Sequence, residues 1–212
     1  MASAFWCIVE DDRAGRPKKV TGEVLGEAAR LARQLGGQVE AVWLTDKATD
    51  EGLKQLAEWG AARVWLLENA ALTPYRGEVW APALAELAAA QTPQAIFGAV
   101  TARQRELLAR LAARLGVGLS ADSVAFSLQD GKLVATRPVY AGKLLSKVTW
   151  SKPPWLATLR PNVFRLEEPK TGAAPQVERP AVTIPPGAMT LAERNEDAAT
   201  GLPELAEADI VV

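Results

Sequence analysis

The sequence predicts an α/β fold: a mostly parallel, doubly wound sheet with an added antiparallel β-hairpin or edge strands, followed by a proline-rich linker. Three observations carry that expectation. Short apolar runs alternate four times with helical stripes through the first 120 residues, an Asp-Gly turn then separates two β-like runs, and prolines crowd the chain after residue 166.

The first step pairs "AFWCIVE" at 4–10, a run with the look of a buried strand, with "VTGEVLGEAARLARQLGG". In the latter, Val24, Ala28, Leu31 and Leu35 recur at helical spacing before the Gly36-Gly37 stop. The second step is "QVEAVWLT" then "DEGLKQLAEWG", and the third is "RVWLLEN" then "EVWAPALAELAAAQ", whose stripe runs through Val79, Leu84, Leu87 and Ala88. The fourth is "AIFGAV" then "TARQRELLARLAARLG", with Leu107, Leu108, Leu111 and Leu115 on one face and arginines on the other. The units share a pattern and no fixed sequence, so this is not a tandem repeat.

Beyond Gly118 the pattern changes. "SVAFSLQDGKLVATRPVY" reads as strand, Asp-Gly turn and strand, and "GKLLSKVTW" and "PWLATLRP" add two β-like runs around Pro153-Pro154. Residues 123–161 are therefore expected to be antiparallel strands extending or covering one edge of the sheet. From Glu167 to Gly201 the prolines at 169, 175, 180, 185 and 186 imply an extended linker or arm. "LPELAEADIVV" then reads as a helical turn leading into the first strand of something further. The expected organisation is an α/β domain over 1–166, a linker over 167–202 and the start of a second domain over 203–212.

Composition excludes several functions. The chain has no histidine, which removes Ser-His-Asp and Cys-His pairs and the commonest zinc and copper ligand. The single cysteine, Cys7, lies in an apolar run, where a buried inert thiol is the expectation, and one cysteine allows no internal disulfide, consistent with a reducing compartment. Charge is nearly balanced, with Lys+Arg 24 against Asp+Glu 25, so the chain as a whole is not expected to bind nucleic acid. No uncharged apolar run approaches the roughly 18–20 residues of a membrane helix, and "MASAFWCIVEDDRAG" lacks a signal peptide's basic start and long apolar region, so a cytoplasmic protein without membrane insertion is expected.

Local motifs have bland readings. "GVGLSA" at 116–121 matches a dinucleotide fingerprint by letter, but follows a helix instead of a strand, so Gly116 is read as a helix C-cap and Gly118 as loop. The acids of "EDD" at 10–12 end the first strand where α/β sheets usually bind ligands, yet no phosphate loop accompanies them and a solvated loop is the favoured reading. Of seven tryptophans, Trp6, Trp43 and Trp65 fall in strands and belong to the core, whereas Trp150 and Trp155 could face a partner.

One strip stands out. From Gly131 to Leu166 the chain carries Lys132, Arg137, Lys143, Lys147, Lys152, Arg160 and Arg165 and no acid. A lysine-decorated edge that blunts aggregation would explain the lysines. Arg137, Pro138, Tyr140 and Gly142 in "TRPVYAG" are not generic edge residues, because arginine and tyrosine are enriched at interface centres while proline and glycine fix a backbone path. Contact surface is the better reading.

The order of these pieces resembles the alpha subunit of electron transfer flavoproteins. The residues that carry it are "GGQVEAVWL", the spacing of Tyr75, Glu78 and Ala81 to Ala88, "AIFGAVTARQRELLARLAARLGVGLSADS", "GKLVATRPVYAG", "LATLRPNVF" and "EADIVV", with "TRPVYAG" and "LATLRPNVF" the specific part. The resemblance spans the chain from its first strand to its last residue. Two positions depart: Gln104 stands where the family pattern has glycine before Arg105, and Lys143 where asparagine often follows the "YAG" glycine.

That resemblance implies an N-terminal α/β domain that packs against a beta subunit and supports a separate FAD domain, whose opening Gly-Gly-Arg-Gly turn would follow Val212. It implies an electron carrier serving flavin dehydrogenases, such as those of acyl-CoA oxidation, with no bond chemistry in this chain. Arg137 and Tyr140 are implied as motif positions with a structural or interface role, and Lys143 and Arg160 of the same strip are added as interface candidates. No FAD ligand and no metal ligand is expected in this chain, the main FAD site belonging to the domain beyond it. A different class of function also stands open: a free-standing nucleotide-binding domain of universal-stress-like type, weakened by the missing phosphate loop.

Overall fold

The computed structural model describes residues 3–12, 14–167 and 174–193. Seven parallel strands form the main sheet: β1 (Ala4–Ile8), β2 (Gln38–Thr45), β3 (Arg63–Glu68), β4 (Ala95–Ala99), β5 (Leu119–Ser123), β9 (Trp155–Leu159) and β10 (Gln176–Glu178), in the spatial order β10-β3-β2-β1-β4-β9-β5. Strands β6 (Ala125–Gln129), β7 (Lys132–Val139) and β8 (Leu144–Thr149) form a separate antiparallel sheet. The mostly parallel α/β class and its antiparallel addition are as expected.

Alternation along each central strand assigns its two faces. Phe5, Cys7 and Val9 of the first strand region join Trp43, Leu66 and Phe97 under α1 (Lys19–Leu35) and α2 (Asp50–Glu58). Trp6 and Ile8 join Val42, Leu67 and Ile96 under α3 (Gly77–Gln91) and α4 (Ala102–Leu115). Both faces are covered, which is why these strands read as continuous apolar runs. Glu40 is a buried exception on β2: its carboxylate accepts from the indole N–H of Trp6 at 2.9 Å and of Trp65 at 2.6 Å and pairs with Arg63.

Helix ends follow local chemistry. Thr49 and Thr101 cap α2 and α4 by accepting from the backbone N–H groups of Gly52 and Gln104. Gly116 ends α4 in the left-handed conformation, φ +61°, and its N–H donates to the carbonyl of Ala112, so it is the C-cap read from the sequence. Gly26 in α1 has a different reason: a Cβ there would lie 2.5 Å from the carbonyl oxygen of Arg165, so the bare backbone lets residues 165–167 cross the helix.

Two placements differ from the sequence reading. Residues 155–159 are not an antiparallel edge strand: β9 runs parallel between β4 and β5, inside the sheet. The reason is parity. Three antiparallel strands after β5 return the chain to the end where β5 began, so the next strand runs the same way as β5. The indole N–H of Trp150 donates to the carbonyl of Gly118 there, at 2.9 Å, and both Trp150 and Trp155 pack in the core instead of facing outward. The antiparallel sheet covers the α1 face, with Phe126 stacked against Phe97 and Phe164.

Within the expected linker, residues 174–193 form a docked arm. β10 extends the sheet beside β3, Val182 and Ile184 pack against the α3–α4 core, and the Met189 N–H reaches Glu78 at 3.4 Å. The strand expected over 203–212 lies outside the described residues. Among the described residues, no helix is long and apolar enough to cross a membrane.

Candidate functional site

The turn between β7 and β8 follows from its backbone. Tyr140, Ala141 and Gly142 have φ of +51°, +53° and +84°, three successive left-handed residues of which only the glycine adopts that region freely. Hydrogen bonds from Gly142 N–H to Val139 O and from Lys143 N–H to Tyr140 O hold the turn. Its consequence is exposure: Tyr140 is 76% exposed, Leu145 67% and Leu144 58%. Three large apolar side chains thus stand in solvent on one hairpin end, with Lys143 exposed among them.

Beside this turn, the chain brings an acid to the basic strip. The pairing of β5 with β9 shifts register between Ser120 and Ser123, and Asp122 within that bulge adopts φ +59°. Such bulges re-aim side chains. Here the backbone N–H of Asp122 donates to Thr158 Oγ1 at 2.9 Å, and its carboxylate accepts two bonds from Arg160, from Nε at 2.9 Å and from Nη2 at 2.6 Å. The Arg160 hydrogen bond holds the Asp122 carboxyl below its ordinary value, and the positive charges of Arg160, Arg137 and Arg105 add to the effect. Arg137 is half-buried on β7, with Nε buried and lacking a hydrogen-bond partner among the described residues. A cleft of about 380 Å³ opens next to Arg105, between α4 and β5, with Thr158 and Leu119 in its lining.

Of the four positions singled out from sequence, Tyr140 and Lys143 belong to the β7–β8 turn, Arg160 pairs with Asp122, and Arg137 lies on β7, its positive charge acting on Asp122. Asp122 and the field of Arg105 are additions that sequence spacing missed. The signal was available in part, since an acid just ahead of an acid-free basic strip is a natural partner for it.

The carboxyl ends of β1 and β4 form the crevice where sheets of this type usually hold ligands. The acids at 10 and 11 are not a solvated loop there. Glu10 pairs with Arg103 at 3.2 Å and accepts from Thr101 Oγ1 at 2.9 Å, while Asp11 pairs with Arg103 at 2.8 Å and accepts from the Trp43 indole at 2.8 Å. Arg103 lies over the Trp80 ring, 5.3 Å from its centroid. Gln104 finishes the closure by accepting from Ala99 N–H and donating to Ile8 O. A cation in the first turn of α4 opposes the helix dipole, and at Arg103 the two acids Glu10 and Asp11 offset it. Cys7 is fully buried, and burial pushes its thiol well up, in keeping with an inert side chain.

Comparison with known proteins gives one family and consistent relatives. Residues 5–185 match the electron transfer flavoprotein domain. Protein FixB of Clostridium saccharobutylicum is 37% identical over 183 residues, 84% of this chain and 53% of that protein. The electron transfer flavoprotein subunit alpha of Syntrophomonas wolfei is 33% identical over 208 residues, 98% of this chain and 63% of that protein. The Bacillus subtilis subunit alpha is 27% identical over 206 residues, 97% of this chain and 62% of that protein. The chain thus spans between half and two thirds of the length of these relatives.

Proposed function

The chain belongs to the electron transfer flavoprotein domain family, and on that basis we propose that it is the N-terminal part of an alpha subunit, a scaffold within an alpha/beta heterodimer that carries electrons through FAD. In this reading the complex takes electrons from flavin dehydrogenases such as acyl-CoA dehydrogenases, works in the cytoplasm, and performs no bond chemistry on this chain. The observation that carries the reading is the β7–β8 turn. A strained backbone holding Tyr140, Leu144 and Leu145 in water makes sense as a contact surface, since buried aromatic anchors dominate interface energetics.

The crevice at the carboxyl ends of β1 and β4 is a poor fit for FAD. A pyrophosphate at the crevice of β1 and β4 would meet two carboxylates, Glu10 and Asp11, and a cation, Arg103, that is already paired to both. At the N-terminus of α4, otherwise a ready anion site, Thr101 already accepts from the Gln104 N–H, and the Gln104 side chain ties the ends of β1 and β4 together. The same closure counts against a free-standing nucleotide-binding domain. FAD is accordingly assigned to a domain outside this chain.

The test is co-expression with a beta subunit followed by size-exclusion chromatography. Co-elution as a one-to-one complex is expected, and separate elution at all protein concentrations would overturn the proposal.

A further inference from the structure

The arm over 174–193 wraps one edge of the sheet, and none of its residues is fully buried. Val177 packs on the α1–α2 side of the sheet and Val182 and Ile184 on the α3–α4 side, all three only half-buried. The polar ties of the arm are exposed and mostly long: Gln176 N–H to Ala62 O at 3.3 Å, Arg63 to the Gln176 amide oxygen at 3.4 Å, Thr183 N–H to Glu86 at 3.0 Å and Met189 N–H to Glu78 at 3.4 Å. Arg76 fastens the far end. Its guanidinium donates to Met189 O at 3.3 Å and to Ala71 O at 2.7 Å, and it lies so close to Gly187 that a Cβ there would meet Nη1 at 2.5 Å. Arg76 and Glu78 thus take both backbone polar groups of Met189, as a neighbouring strand would. Under the middle of the arm a cleft of about 240 Å³ remains, beside Leu66, Glu68 and Asn69 at the end of β3. Exposed hydrogen bonds and scant apolar burial are the marks of a segment that opens locally.

We propose that the outer edge of β3 and the adjoining end of α3 form a strand-addition site which the chain fills with its own arm, and that the arm leaves this site as one unit while the domain stays folded. The inference is independent of the subunit reading above. The site takes an extended peptide that supplies a parallel strand beside β3, two apolar side chains two residues apart for the α3–α4 core, and a backbone amide for Arg76 and Glu78. The prolines at 175, 180, 185 and 186 suit the arm to it, since fixed φ angles leave less freedom to lose on docking. A free copy of the same segment makes the same contacts, and the resident arm prevails because it is tethered. The central strands β1, β2 and β4 have no such exit, being buried almost throughout.

Hydrogen exchange in the full wild-type chain, followed by NMR, tests the opening. Amides of β10 and of Thr183 should share one opening equilibrium and exchange about 100-fold faster than those of β2 and β4. Ile184→Asn should speed the arm amides together and leave β2 and β4 unchanged. Arm amides as slow as those of β2, or arm amides that respond to Ile184→Asn one at a time, would overturn the unit.

Competition tests the site. A fluorescein-labelled peptide of residues 174–193 is titrated by anisotropy with the wild-type chain, with the Val182→Asn/Ile184→Asn variant, whose resident arm is weakened, and with that variant carrying Arg76→Ala as well. The peptide should bind the arm variant at least about 10-fold more tightly than the wild type, and Arg76→Ala should weaken that binding about fivefold. A peptide carrying the same two asparagine substitutions should not bind. Equal binding by both peptides, or no binding to the arm variant, would overturn the strand-addition site. The exchange measurement on the wild-type chain decides the proposal even if a variant fails to fold.

Discussion

Arg160 meets Asp122 through two parallel hydrogen bonds, 2.9 and 2.6 Å long, across two neighbouring strands that a bulge has brought out of register. Both side chains remain partly exposed, so the pair is screened and its contribution to stability is modest. Its main effect is geometric: it fixes the Arg160 guanidinium on Asp122.

The pair should show itself through pH. The folded-state carboxyl of Asp122 lies below the ordinary value of 3.8, so its contribution is present above that value and lost as pH falls through the depressed one. Asp122→Asn should therefore melt slightly lower than wild type at neutral pH, by at most about 2 °C, and the difference should vanish in acid. Thermal melts at several pH values check this. Added salt should also narrow the neutral-pH difference, because the variant removes an attraction between partly exposed charges that salt screens in the wild type.

Arg103 should matter far more for stability. It is largely buried between Glu10 and Asp11, and removing one partner from a buried ionic cluster leaves charges uncompensated. Arg103→Met should cost about 3–5 kcal/mol in urea denaturation, whereas Arg105→Met, two positions along on an exposed face, should cost about 0.5 kcal/mol or less. A small loss for Arg103→Met would show that the cluster is not needed to close the crevice.

Gly26 tests the packing of the crossing segment. Alanine is the better helix former, yet its methyl would press on the carbonyl of Arg165 at 2.5 Å, and a backbone atom cannot turn aside as a side-chain tip can. Gly26→Ala should destabilise by about 1–2 kcal/mol despite the propensity gain. Gly36→Ala, where no atom lies within 4 Å, should cost only the left-handed backbone preference, about 1 kcal/mol. Equilibrium denaturation of both variants separates collision from conformation.

Much of this fold was legible because its signals are local. The stripe of Val79, Leu84, Leu87 and Ala88 predicted the buried face of α3, and Gly116 marked the end of α4 from its neighbours alone. The misread parts are non-local. Whether residues 155–159 run parallel depends on how many strands reverse the chain before them, and Arg103 reaches acids 92 residues away at Asp11. At the candidate site, residue types pointed to Arg137, Tyr140 and Arg160, but the acid that pairs with Arg160 became visible only once β5 and β9 were neighbours.

The interface reading predicts a split between folding and assembly at the turn. Tyr140 sits at φ +51°, a region asparagine tolerates better than tyrosine, and its ring is mostly in water. Tyr140→Asn should leave the melting temperature of the isolated chain unchanged or slightly raised, while weakening beta-subunit binding by about 2 kcal/mol. Arg137→Ala should act in the same direction. A large loss of melting temperature in either variant would make these side chains structural.

The last prediction concerns flavin. Cofactor phosphates are commonly held at the N-terminus of a helix that follows a sheet strand, where free N–H groups and the helix dipole meet negative charge. At the one such place joining β1, β4 and α4, the Thr101 hydroxyl accepts from Gln104 N–H, Gln104 accepts from Ala99 N–H, and Glu10 and Asp11 make the surroundings acidic. Purified from a flavin-replete host, the chain should be colourless, and titration with FAD should leave flavin fluorescence unquenched. A yellow protein with near-stoichiometric FAD would mean that the cofactor occupies a surface other than this closed crevice, and the assignment of flavin to another domain would fall.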